Sequence, residues 1–161
     1  MFLRAINTLK VLSILAFLMM LLWIYAYLSE EVRFFLPGDP MHFVEMTKTR
    51  FFYIFLFTYG GINLFLYWFT FFIKGRAGIP NIIRSLKTDN KLNVLIGWLG
   101  GFHFSLNVLM LGILFYSGFH NINRQATPDQ YSFFLIAGSI ITFISLAGIL
   151  VLMLRHTLSE K

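Results

Sequence analysis

The chain of 161 residues has no cysteine. That absence removes disulfides, thiolate nucleophiles, iron–sulfur clusters and thiolate zinc sites together. Charge is scarce as well. Asp, Glu, Lys and Arg make up 12% of the residues, against roughly 25% in soluble domains. No Pro/Gly/Ser-rich linker, low-complexity tract or internal repeat divides the chain, so a single domain over residues 1–161 is expected. The four long apolar stretches described below contain no acidic residue. A carboxylate-driven proton or sodium relay through a bilayer requires one.

What is present is apolar. Hydrophobic residues make up 58% of the chain and mean hydropathy is strongly positive. The expected class is an all-α, polytopic membrane protein, a four-transmembrane-helix bundle with a short interfacial helix.

Arg4 and Lys10 precede an apolar stretch of 18 residues, Val11 to Leu28. A signal peptide also begins with a basic flank, but this apolar part is long. No small-x-small pair follows it, only Tyr25-Ala26-Tyr27-Leu28-Ser29, so a retained first span over residues 11–28 is expected. Trp23, Tyr25 and Tyr27 suit an aromatic belt at the interface.

Residues 29–50 form a loop whose candidate functional residues are Asp39, His42, Glu45 and Lys48. Leu36-Pro37-Gly38-Asp39-Pro40 must turn, and Asp39-Pro40 suits the start of a short helix through Met46. Phe34, Phe35, Leu36, Met41 and Phe43 would be stranded in water by a floppy loop, so an ordered one lying on the bundle or in the interface is expected.

The second span covers residues 51–73, of which twelve are aromatic. Such a surface suits core or lipid contact, and Gly60-Gly61 with Asn63 marks the place where another backbone would approach. Residues 74–93 are the most basic segment, with Arg76, Arg84, Lys87 and Lys91 as a basic face. Ile79, Ile82, Ile83 and Leu86 recur at helical spacing after Gly78 and around Pro80, the pattern of a short helix on an anionic inner leaflet. The excess positive charge therefore implies membrane lipids, and no nucleic acid, as partners.

Residues 94–118 are the third span and 132–154 the fourth, the latter with Gly138, Ser139, Ser145, Ala147 and Gly148 as sites for close packing. In the third span His103 and Asn107 stand four residues apart on one side of a helix, with Gly97, Gly100 and Gly101 before them. Lipid cannot satisfy an imidazole or an amide, so both need partners on neighbouring helices. Depth suggests one candidate. Asn63 lies about ten residues from the inner end of its span, His103 and Asn107 about nine and thirteen from theirs, which at 1.5 Å per residue brings all three near the midplane. Two readings of this cluster stay open: a structural one, in which mutual bonds fix helix register, and a ligand- or proton-handling one. In the second, His103 would be the only group near the midplane that titrates between about pH 5 and 8.

Other chemistry lacks its parts. A bis-histidine haem needs two intramembrane histidines, and His42, His120 and His156 lie outside the spans. His42-x-x-Glu45 has metal-ligand spacing but too few ligands, and Ser105 does not face His103 two residues away. No metal, no cofactor and no catalytic residue is expected. Lys and Arg count nine in the amino-terminal segment, second loop and carboxyl-terminal tail, against four in the first and third loops. The positive-inside rule then puts both termini in the cytoplasm of a plasma (inner) membrane and the first loop outside.

Within that loop Leu36, Pro37, Pro40, His42, Phe43 and Lys48 occur in the order found in a widespread bacterial membrane domain, that of the sporulation-delay toxin immunity family. Residues 36–52 resemble its stretch between the first two spans, although the turn is shorter and lacks the glycine that normally follows. The resemblance implies a polytopic, non-catalytic protein whose outward loop meets a peptide or a signal.

Three functional readings follow. The first is an accessory or assembly subunit of a larger inner-membrane complex, with other membrane-protein subunits as partners. The second is a receptor or immunity-like protein using the outward loop 29–50. The third is an enzyme or carrier for a lipid-soluble molecule using Asn63, His103 and Asn107.

Overall fold

The computed structural model describes residues 2–36, 39–74, 89–123 and 129–159. They form helix α1 (Phe2–Tyr27), strands β1 (Glu31–Leu36) and β2 (Asp39–Thr47), and helices α2 (Lys48–Lys74), α3 (Asp89–Ile122) and α4 (Asp129–Ser159). Each helix holds a segment long and apolar enough to cross a membrane: Arg4–Tyr27, Lys48–Ile73, Val94–Ile122 and Phe133–Val151. The helices overrun the apolar stretches that announce them. α3 starts at Asp89, a residue type that accepts hydrogen bonds from a first turn and complements its dipole. Lys91 therefore belongs to the first turn of α3, whereas the expected interfacial helix around residues 80–86, with Arg76, Arg84 and Lys87, lies outside the described residues.

α3 is the central helix. Of its most apolar window 44% is buried, against 22% for α1 and 11% each for α2 and α4. Helix α1 runs parallel to it: Ile6 meets Gly100, Ser13 meets Asn107 and Ile24 meets Gly118, each pair 94 apart in sequence. Gly100 and Gly118 are the holes for these isoleucine knobs, since a Cβ on Gly118 would lie 2.5 Å from Ile24 Cδ1.

α4 is antiparallel to α3, because Gly112, Leu109, Ser105 and Trp98 meet Phe134, Gly138, Thr142 and Gly148 in turn. Backbone meets backbone at two places: a Cβ on Gly112 would sit 2.9 Å from the Phe134 carbonyl oxygen, and one on Gly138 3.0 Å from Leu109 Cα. Gly138 and Gly148 thus pack as expected. Ser139 is exposed, and Ser145 donates to its own helix at Ile141.

α2 runs antiparallel to both α1 and α3 and buries one narrow stripe, Phe51, Phe55, Tyr59, Leu66 and Ile73. Phe17 and Tyr59 stack with centroids 3.6 Å apart, and Ile73 shares a cluster with Leu95 and Leu99. The expected close approach at Gly60-Gly61 is corrected. A Cβ on either would meet nothing within 4 Å, because the buried stripe passes through Tyr59 and both glycines fall on the outer side.

The first loop is a β-hairpin, not the short helix suggested by Asp39-Pro40. Val32 pairs with Met46 and Arg33 with Glu45 in an antiparallel ladder. The first pair packs on the core beside Leu28 and Phe51, while the second forms an ion pair at 3.1 Å. This period-two alternation is the strand signal. Pairing also satisfies backbone groups of both segments, which a helix confined to residues 39–46 would leave unmatched in Glu31–Leu36. Pro40 is the second residue of β2, where a strand tolerates proline.

Candidate functional site: a polar layer between three helices

Two apolar clusters sit at different levels of the bundle. One joins Phe17, Leu21, Ile24, Leu28, Val32, Phe51, Phe55, Tyr59 and Leu114 toward the hairpin, and the other joins Ile73, Leu95, Leu99 and Ile149. Between them, near the middle of each helix, lies a layer of polar side chains: Ser13 on α1, Asn63 on α2, and His103, Ser105 and Asn107 on α3. Ser13, His103, Ser105 and Asn107 are all buried, the last two completely.

His103 Nε2 lies 2.7 Å from Asn63 Oδ1. The amide is oriented by its other end, where Asn63 Nδ2 donates to the Tyr59 carbonyl at 2.9 Å. That leaves Oδ1 as the group facing the ring, so Nε2 carries the hydrogen and donates. The bond ties α3 to α2.

Asn107 does not join them. Its Nδ2 donates to Ser13 Oγ at 3.0 Å, and the Ser13 hydroxyl donates to the Lys10 carbonyl at 2.8 Å. The expected cluster of Asn63, His103 and Asn107 is therefore two linkages at one depth, one from α3 to α2 and one from α3 to α1. Ser105 donates to the carbonyl of Phe102 at 2.8 Å, and the Thr142 hydroxyl of α4, shared with its own Gly138 carbonyl at 2.8 Å, lies 3.2 Å from the Ser105 carbonyl. Every neighbour of α3 is thus joined to it by a polar contact within two turns.

The sequence did not place Ser13, Tyr59 or Lys10 at this layer. Ser13 is the single residue of Val11–Leu28 that is neither apolar nor aromatic, which is the signal that would have found it. Tyr59 stands one turn before Asn63, and its backbone carbonyl accepts from the Asn63 amide. Lys10 lies inside α1, and its long chain brings Nζ to 4.0 Å from where a Cβ on Gly100 would be.

The hairpin forms a second polar constellation. Glu45 pairs with Arg33 and Lys48 with Glu30 at 2.7 Å, while the Lys48 ammonium lies 5.6 Å from the centre of the Tyr25 ring. Asn121, near the end of α3, reads the β1 backbone like an added strand. Its Oδ1 accepts from Arg33 N at 2.7 Å, and its Nδ2 donates to Arg33 O at 2.8 Å and to Ser117 O at 2.7 Å. Asp39 and His42 lie on β2. Among the described residues no three His, Asp or Glu side chains are grouped to hold a metal ion.

No family model, curated protein or solved structure matches the chain.

Proposed function

We propose that this chain is a non-catalytic integral membrane protein with four spans and both termini in the cytoplasm, acting as an accessory or assembly subunit of a larger inner-membrane complex. The observation that supports this reading is the uneven burial of the helices. α3 is the most buried helix, while α2 and α4 bury little and turn rows of large side chains outward. Phe57, Leu64 and Tyr67 on α2 are each 71% exposed and Phe143 on α4 is 73% exposed. Rings and aliphatic groups of that kind suit lipid and the flanks of neighbouring helices equally. The polar groups of the midplane bond to one another and to backbone carbonyls, an arrangement that holds a scaffold together.

The test is mild solubilisation of the full chain from its own membrane, followed by native electrophoresis and mass spectrometry. Co-migration with other membrane subunits in fixed stoichiometry, and loss of that assembly when the chain is deleted, is the expected result. Migration with lipid alone overturns the reading. A receptor or immunity-like role is favoured by a different observation, the bracing of the hairpin by Asn121, Arg33–Glu45 and Lys48–Glu30. Under that reading, substitutions on β2 abolish a response to a peptide while the four-helix part stays intact.

A further inference from the structure

Two polar atoms of the layer are buried without a hydrogen-bond partner: the Tyr59 hydroxyl and Asn107 Oδ1. Tyr59 is 3% exposed and Asn107 wholly buried. An orphaned buried donor or acceptor costs about 1–3 kcal/mol, and more where lipid surrounds the protein in place of water. Two in one region of the bundle call for a common explanation.

Helix register brings them to the same level. The bond from His103 to Asn63 sets the register of two antiparallel helices. Four residues back along α2 from Asn63 is Tyr59, and four residues on along α3 from His103 is Asn107, so both lie one turn from that bond in the same direction. α1 closes the third side, with Ser13 bonded to Asn107 and Phe17, one turn on, stacked flat against the Tyr59 ring. The Asn63 amide nitrogen has a second N–H beyond the one given to the Tyr59 carbonyl.

We propose that the Tyr59 hydroxyl and Asn107 Oδ1 hold one water molecule between them, at the junction of α1, α2 and α3. The occupant must donate to Asn107 Oδ1, which only accepts, and must accept from Tyr59 or Asn63. A water does both, and a site of this kind needs two to four polar partners. The bonds then run in one direction: Tyr59 O–H to water, water to Asn107, Asn107 N–H to Ser13, and Ser13 O–H to the Lys10 carbonyl. The water links the α2 side of the layer to the α1 side, so the two separate linkages become one network across three helices.

Hydroxyl-radical footprinting by a short X-ray pulse, on the full chain in lipid nanodiscs, tests this because radicals made from a bound water label the side chains beside it. The control is Phe51, 1% exposed in the apolar cluster toward the hairpin. Tyr59 should be labelled well above Phe51, and Asn107→Leu should bring Tyr59 down to the Phe51 level. Tyr59→Phe keeps the ring and its stack on Phe17, so it guards against misfolding in the other variant, and labelling of Phe17 should fall in it. Labelling of Tyr59 no greater than that of Phe51 in the unaltered protein overturns the site. So does labelling that neither substitution changes.

Discussion

His103 and Asn63 are 40 residues apart in sequence and 2.7 Å apart in the bundle. Their bond is the one side-chain hydrogen bond described between α2 and α3, whose other contacts there are apolar. In lipid the unbonded alternative is poor for both partners, yet membrane double-mutant cycles average only about 0.6 kcal/mol and reach about 1.7. The unfolded chain in a membrane also finds partners.

A double-mutant cycle with His103→Leu and Asn63→Leu, followed by thermal unfolding in detergent, should give a coupling energy of about 0.6–1.7 kcal/mol. Both variants should retain their assembly at permissive temperature. If His103→Leu abolishes the cellular phenotype with little change in melting, the imidazole works on something other than Asn63.

The glycines separate by what they face. Gly112→Ala forces a methyl group against the Phe134 carbonyl oxygen, a backbone atom that cannot swing aside, and should destabilise by about 1–3 kcal/mol. Gly61→Ala meets nothing within 4 Å and replaces the most flexible residue in mid-helix, so it should be neutral or stabilising by up to about 1 kcal/mol. Unfolding of both variants in the same detergent checks the order. Equal losses would mean that α2 carries a neighbour at Gly61.

How much of this was legible in the sequence depends on the range of the interaction. Four apolar runs announce four helices, because each run is a local property of about twenty residues. The helix ends are less so, since polar residues such as Asp89 continue a helix without an apolar signal. The hairpin was hidden because its partners are distant: Asp39-Pro40 is a sound local helix start, and only pairing Val32 with Met46 shows the alternation. The layer was legible in depth but not in direction. Depth places Asn63 level with both His103 and Asn107. Two side chains four apart on α3 are turned by about 40° from each other, enough for one to face α2 and the other α1.

Asn121 should hold the hairpin to the bundle. Asn121→Ala removes two bonds to the β1 backbone at Arg33, each worth about 0.5–1.5 kcal/mol. Hydrogen exchange read by mass spectrometry should show the Arg33 amide protected in the unaltered chain and released in the variant, with the α1 amides unchanged. Protection that survives the substitution would mean the hairpin is held by its core pair Val32 and Met46 alone.

The basic segment gives a sequence-based prediction of its own. If residues 80–86 lie along the inner leaflet, spin labels at Ile82 and Ile83 should be shielded from aqueous quenchers and one at Lys87 should not. Helical spacing puts the two isoleucines on one face with Ile79 and Leu86. Equal accessibility at all three positions refutes an interfacial helix.

Orientation follows from charge and can be tested separately from packing. Residues 1–10, 74–93 and 155–161 carry nine of the thirteen Lys and Arg, and positively charged short loops are retained on the cytoplasmic side. The hairpin bears both signs, with Arg33 against Glu45 and Lys48 against Glu30, so its local charge is largely cancelled and opposes translocation weakly. Truncation fusions to a topology reporter after Glu45 and after Lys87 should therefore report opposite sides, the first outside. The same side for both would remove α2 as a span. An inverted result would put the hairpin in the cytoplasm, and with it the surface on which the receptor-like reading depends.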